Sequence, residues 1–107
     1  MLAKPLAPVN ERTPQVTRNE ILSFIQKYIP EWKYRDGKIS REYTFRNFVE
    51  AMGFVNVVAG IAERFQHHPD IHIHYNRVLI ELWTHAVNGI TENDLLLALH
   101  IESVVQT

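Results

Sequence analysis

The sequence predicts an α+β domain of order α-β-β-α-β-β-α, with a four-stranded antiparallel sheet and helices packed on one face. Three observations predict it. Apolar residues recur at helical spacing in three separate stretches. Between those stretches lie two pairs of alternating runs. Each pair is joined locally, so pairing within it is antiparallel. A chain of 107 residues suits one compact domain, and so small a domain would gain from self-association.

Residues 1–16 carry Pro5, Pro8 and Pro14 without periodicity, which predicts an extended or disordered arm ahead of a domain spanning residues 17–107. Thr17-Arg18-Asn19-Glu20 fits a capping box, in which hydroxyl and carboxylate satisfy free N–H groups of the first turn. Ile21, Phe24, Ile25 and Tyr28 follow at helical spacing, and Pro30 stops the helix. After Trp32 and Tyr34 comes Asp36-Gly37, then Ile39, Arg41, Tyr43 and Phe45 in alternation; an Asp-Gly pair between alternating runs signals a hairpin. From Arg46 the period changes, and Phe48, Met52, Val55, Ala59, Ala62 and Phe65 lie along one face of a second helix. Gly53 and Gly60 within it each sacrifice up to ~1 kcal/mol against alanine, which close packing against another element would explain. Pro69 ends this helical region. Ile71, Ile73 and Tyr75 alternate with His72 and His74 as a third strand, and Asn76-Arg77 reads as a turn or bulge. Val78, Ile80, Leu82 and Thr84 alternate with Leu79, Glu81, Trp83 and His85 as a fourth, closed by Asn88-Gly89. Thr91-Glu92-Asn93-Asp94 caps a last helix bearing Leu95, Leu96, Leu99 and Val104.

With Ile80 and Leu82 toward the helices, Leu79 and Trp83 fall on the other sheet face, where another subunit would keep them dry. Glu81 between them needs a partner. Leu95-Leu96-Leu97-Ala98-Leu99 is too apolar for one buried stripe; core burial explains part, and a helix-to-helix subunit contact is expected to take the rest. Trp32 and Trp83 read as packing residues and His100 as a helix-surface residue.

Composition excludes several classes. Hydrophobic residues make up 46% and charged residues 21%, ordinary values for a globular protein. With 11 basic against 12 acidic residues, the net charge of -1 gives no nonspecific pull on nucleic acid or anionic membrane. The absence of cysteine excludes disulfides, thiolate metal sites and cysteine nucleophiles. No apolar run approaches the ~18 residues of a membrane span, and Met1 to Leu6 lack the apolar core of a signal peptide. The expectation is a cytoplasmic protein without nucleic-acid or membrane partners.

Chemistry concentrates in the histidines. His67-His68-Pro69 stands at a helix end and His85 at the end of the fourth strand, a return path that can bring them into one pocket. Neutral and protonated imidazoles coexist near pH ~7, so such a cluster can supply both an acid and a base. His72 and His74 put two rings on one strand face, as in some zinc sites, but no third ligand is placed beside them and no metal is expected.

Four stretches carry a family resemblance: Ala62-Glu63-Arg64-Phe65-Gln66-His67-His68-Pro69-Asp70, Tyr75-Asn76-Arg77-Val78, Leu82-Trp83-Thr84-His85 and Gly89-Ile90-Thr91-Glu92-Asn93-Asp94. Together with Phe45-Arg46-Asn47-Phe48 and Ala51-Met52-Gly53-Phe54, they resemble the pterin-4a-carbinolamine dehydratases from about Trp32 to Glu102. The resemblance implies the same helix–strand order, assembly as a homodimer or homotetramer, and loss of water from 4a-hydroxytetrahydropterin to give quinonoid dihydropterin. It implies pterin as substrate and no cofactor. His67 and His85 match the family's acid–base pair, and His68 matches a pocket histidine that binds or orients the pterin. Pro69, Thr84, Ala86 and Val87 match pocket-lining positions, while Glu63 and Asp94 match carboxylates near the histidines. The chain departs from the family at Ile71, Ala86, Asn88 and Gln66, where tryptophan, an acidic residue, a small residue and Asn or Asp are usual. Relatives of a second kind bind partner proteins instead, stabilising a transcription-factor dimer or assisting RuBisCO assembly. A non-catalytic binding module is therefore the alternative; those assembly relatives tend to lose the histidines present here.

Overall fold

A computed structural model describes residues 10–105. The part of the expected arm that covers residues 1–9 lies outside the described residues. The elements run α1 (Arg18–Tyr28), β1 (Lys33–Arg35), β2 (Lys38–Thr44), α2 (Phe48–Phe65), β3 (Asp70–His74), β4 (Arg77–Leu82) and α3 (Glu92–Val105). The strands form one antiparallel sheet of order β1-β2-β4-β3. The predicted fold class is the observed one.

Local chemistry explains most boundaries. The Thr17 hydroxyl accepts from the Glu20 N–H, and the Glu20 carboxylate accepts from the Thr17 N–H at 2.9 Å. That backbone donor is the main reason the Glu20 carboxyl lies below its ordinary value. Asp36 and Gly37 both take positive φ, 54° and 75°, the combination a two-residue hairpin needs. Asn47 caps α2, and Gln66 ends it in a left-handed conformation, φ 53°, three residues before Pro69.

Two expectations need correction here. The second hairpin turns at Tyr75-Asn76, not Asn76-Arg77, since His74 pairs with Arg77. Asn76 explains the shift: its backbone carbonyl accepts from the Phe45 N–H and its side-chain amide donates to the Phe45 carbonyl. It is thereby fixed to the end of β2, and Tyr75 takes the positive φ. The buried face of α2 is Ala51, Phe54, Val58, Ile61 and Ala62; of the expected set Ala62 is on it, Val55 and Phe65 pack at its margin, and Phe48, Met52 and Ala59 lie off it. Phe54 decides this, because its ring packs on Tyr43 and Phe45 of the second strand region. Phe48 is left exposed, and a Cβ on Gly53 or Gly60 would meet nothing within 4 Å, so none of the described elements packs closely on them.

The core lies between the sheet and the helices, with Ile39, Tyr43, Val78, Ile80 and Leu82 contributed by the strands. Helix α3 touches both α1 and α2, and Leu95, Leu96, Leu97 and Ala98 are all buried within the chain itself. Most of the apolar surplus of this helix is therefore absorbed within the fold, with Leu99 left half-buried. The opposite sheet face is polar. Leu79 and Trp83 are half-buried there: Lys38 lies over the Trp83 ring, His85 stacks on it, and its indole N–H donates to Asp70. Glu81 finds partners in His72 at 2.8 Å and Lys38 at 3.9 Å. No helix of the described residues is long and apolar enough to cross a membrane.

Candidate active site

The end of α2 delivers the first part of the site. Its left-handed Gln66 turns the chain so that His67 points inward and His68 outward. His67 is only 8% exposed. Its Nε2 lies 2.7 Å from Oδ1 of Asp94, a fully buried carboxylate in the first turn of α3. The other oxygen of Asp94 accepts from the Thr84 hydroxyl at 2.7 Å and from the Thr91 N–H at 2.9 Å. Because the Thr84 proton is given to Asp94, the Thr91 hydroxyl is the donor in the 2.8 Å contact with Thr84 Oγ1. The result is a buried, satisfied chain, Thr91–Thr84–Asp94–His67, that joins the end of α2, the exit of β4 and the start of α3.

This chain fixes the tautomer of His67. With a carboxylate at Nε2, the neutral ring carries its proton there and keeps Nδ1 as the lone-pair atom. Asp94 also holds the Thr91 N–H that opens α3, so helix capping and ring orientation depend on one carboxylate. His68 is exposed, and its Nε2 meets Glu63 at 2.6 Å, an open pair worth little to stability. Pro69, next along, is half-buried.

The second part of the site is the turn that follows β4. Thr84 and Gly89 form a bridge, 2.8 Å from the Thr84 N–H to the Gly89 carbonyl, and close a turn carrying His85, Ala86 and Val87. Asn88 takes a left-handed φ of 52°, which asparagine tolerates better than most residues. Thr84 points into the buried chain. His85, the next residue, is exposed, and its ring stacks on Trp83 with centroids 3.9 Å apart. The fold thus brings His67, Asp94 and Thr84 into contact, pairs His68 with Glu63, and sets His85, Ala86 and Val87 on the adjoining turn. Among the described residues, His85 makes no hydrogen bond to His67 or His68; backbone continuity through Thr84 is what joins them. Of the departures, Ile71 lies opposite Ile80 and packs against the core. No group of three His, Cys, Asp or Glu among the described residues is placed to hold a metal ion.

Thr91 is the member that sequence reading treated only as a helix cap. Its spacing to Asp94 was visible, but its contact with Thr84 depends on the turn between them.

Comparison with known proteins supplies an independent view. A family model described as pterin 4 alpha carbinolamine dehydratase matches residues 14–104. A Rickettsia canadensis protein, provisionally named pterin-4-alpha-carbinolamine dehydratase, is 38% identical over 103 residues, covering 95% of this chain and 94% of that one. A Thermomicrobium roseum protein provisionally given the same name is 53% identical over 78 residues, covering 73% and 83% respectively. Among solved structures, a Brucella melitensis protein described as a transcriptional coactivator/pterin dehydratase superposes with a TM-score of 0.79 at 32% identity, covering 85% of this chain and 98% of its own. A pterin dehydratase-like RuBisCO assembly factor of the alpha-carboxysome shares the fold, with a TM-score of 0.58 at 18% identity over 71% of this chain and 88% of its own.

Proposed function

The chain belongs to the pterin 4 alpha carbinolamine dehydratase family, and on that premise we propose that it removes water from 4a-hydroxytetrahydropterin by histidine acid–base catalysis. The observation that carries the proposal is the buried imidazole of His67, oriented by Asp94 beside the turn that bears His85.

The reaction needs two proton transfers. The hydroxyl on C4a leaves as water only after gaining a proton. N5 must lose its proton as the N5=C4a double bond of the quinonoid product forms. The electron pair of the N–H bond becomes the new π bond, and the C–O pair leaves with the water, so no oxidant or metal enters the balance. A ring held at Nε2 by a carboxylate presents Nδ1 as a base, and the imidazolium it becomes is stabilised by that carboxylate. His67 is therefore assigned as the base at N5. His85 is assigned as the acid at the hydroxyl, since its exposed ring can take its proton back from solvent after each turnover. His68, held by Glu63, contributes to binding the pterin, with Pro69, Ala86 and Val87 forming the pocket wall. The pterin is substrate, and no cofactor is called for.

The test is the rate of dehydration of freshly prepared 4a-hydroxytetrahydropterin with and without protein. Acceleration well above the spontaneous reaction supports the assignment. A rate equal to background favours a second reading, a binding module for a partner protein. That reading draws on the outer side of α2, where Phe48, Val49 and Val57 are 48%, 77% and 47% exposed. The Brucella melitensis neighbour, described as a coactivator as well as a dehydratase, points the same way.

A further inference from the structure

Among the described residues, the turn that carries His85 has one hydrogen bond from far away in sequence. The other hydrogen bonds of residues 85–89, among the described residues, stay within residues 84–89: the Thr84 N–H to the Gly89 carbonyl, the Val87 N–H to the Thr84 carbonyl, the Asn88 N–H to the His85 carbonyl, and the Gly89 N–H to the Thr84 carbonyl. Among the described residues, the exception is Gln15, whose side-chain amide donates to the Val87 carbonyl at 2.8 Å. One residue on, the Val16 N–H donates to the Ile90 carbonyl at 2.8 Å, so the segment before α1 is fastened along the base of the turn. Before it, Asn10 to Thr13 fold into a small turn, with the Arg12 N–H on the Asn10 side chain and the Asn10 N–H on the Thr13 hydroxyl.

Gly89 shows how closely this contact is built. Its φ is not in the left-handed region, so the backbone there accepts any residue. A Cβ on Gly89 would nonetheless lie 2.4 Å from Oε1 and 2.8 Å from Cδ of Gln15. The carboxamide fills the space that a side chain would take. An alanine at this position would push the flexible Gln15 side chain away and break its bond to Val87 without straining the chain.

We propose that residues 10–16, ahead of the first helix, form a strap, and that Gln15, seated against Gly89, is a positioning residue that holds the His85 turn in its working conformation. The strap rests on geometry alone; its catalytic consequence rests on the dehydratase reading above. An otherwise self-contained exposed turn samples many conformations, and one added tether narrows them. Aligning the imidazole for proton transfer is the benefit expected from that restriction.

The experiment uses the full chain, its Gln15→Ala and Gly89→Ala variants, and the double variant. Amide hydrogen exchange is read at Val87 and Asn88, with Val78, Ile80 and Leu82 of β4 as internal reference. A neutral hydrogen bond nets ~1 kcal/mol, so each single variant should speed exchange in the turn about fivefold. The double variant should be no faster than either single variant, because both break one contact. The reference amides should not change. Turn exchange that stays at the parent rate in both single variants overturns the strap, as does a double variant faster by the product of the two. This arm stands whether or not dehydration is found. Where the parent protein dehydrates the pterin, kcat should fall about fivefold in both single variants with KM within about twofold. An unchanged kcat in a variant whose turn exchanges faster overturns the positioning role.

Discussion

Helix α3 carries two buried carboxylates about two turns apart, and their surroundings set them to different ends. Glu102, 3% exposed, accepts from the Arg41 guanidinium at 2.5 and 2.6 Å, from the Trp32 indole at 3.2 Å and from the Tyr43 hydroxyl. Asp94, fully buried, faces one imidazole, one hydroxyl and one backbone N–H. Arginine keeps its charge under all conditions in which a protein is folded, so Glu102 is a fixed anchor that ties α3 to β2 and to Trp32. An imidazole carries both a donor and an acceptor nitrogen, so Asp94 orients a ring that can exchange a proton. Burial alone therefore does not distinguish the two carboxylates; what separates them is whether the partner is a fixed cation or an imidazole.

The contrast breaks most visibly at the histidines. Replacing His67 or His85 with alanine should lower turnover by ~10²–10⁴-fold, the usual worth of a positioned acid or base, with circular dichroism unchanged. Initial rates within about twofold of the parent would remove that residue from the acid–base pair. Glu102→Ala should instead act on stability. It leaves a guanidinium, a phenol and an indole without their acceptor, and breaking a buried pair costs several kcal/mol. Arg41 is 23% exposed and partly screened, so a loss of about 3 kcal/mol is expected in urea unfolding, with kcat of the folded fraction retained. Asp94→Asn sharpens the comparison. An amide can donate as well as accept, which disturbs the His67 tautomer, and turnover should fall at least ~10-fold. Its loss in the same urea titration should be smaller than that of Glu102→Ala; the reverse order would invert the contrast.

The smallest effect is one of pH. Burial first, and then its bond to Glu102, push the Tyr43 phenol far above its ordinary value. Above about pH 10 the unfolded chain ionises this phenol while the folded protein keeps it protonated. The unfolded state then binds fewer protons, so stability falls as pH rises through that range. Tyr43→Phe abolishes that contribution. Urea midpoints measured at about pH 8 and pH 10.5 should therefore lie closer together in the variant than in the parent.

What could be read from the chain beforehand follows the range of the forces involved. The Asp36-Gly37 turn and the Thr17–Glu20 cap are decided by neighbours in sequence, and both stand where their residues put them. The Tyr75-Asn76 turn is decided by Phe45, 31 residues away, and was misplaced by one residue. Helix α2 offers apolar residues on more than one side, so periodicity alone could not choose the side that meets Tyr43. Family resemblance placed Asp94 only as a carboxylate near the histidines; its pairing with His67 itself leaves no sign in the spacing. The bond from Gln15 to Val87 spans 72 positions and leaves no local trace in the sequence.

The left-handed residue at the end of α2 has a consequence of its own. One backbone torsion at Gln66 sets the angle at which both imidazole-bearing residues depart from the helix axis. Glycine or asparagine would occupy that elbow with less steric penalty than glutamine, whereas a β-branched side chain would press it toward another angle and swing His67 off its carboxylate. An exposed position on the helix end thereby governs the aim of the buried imidazole beside it.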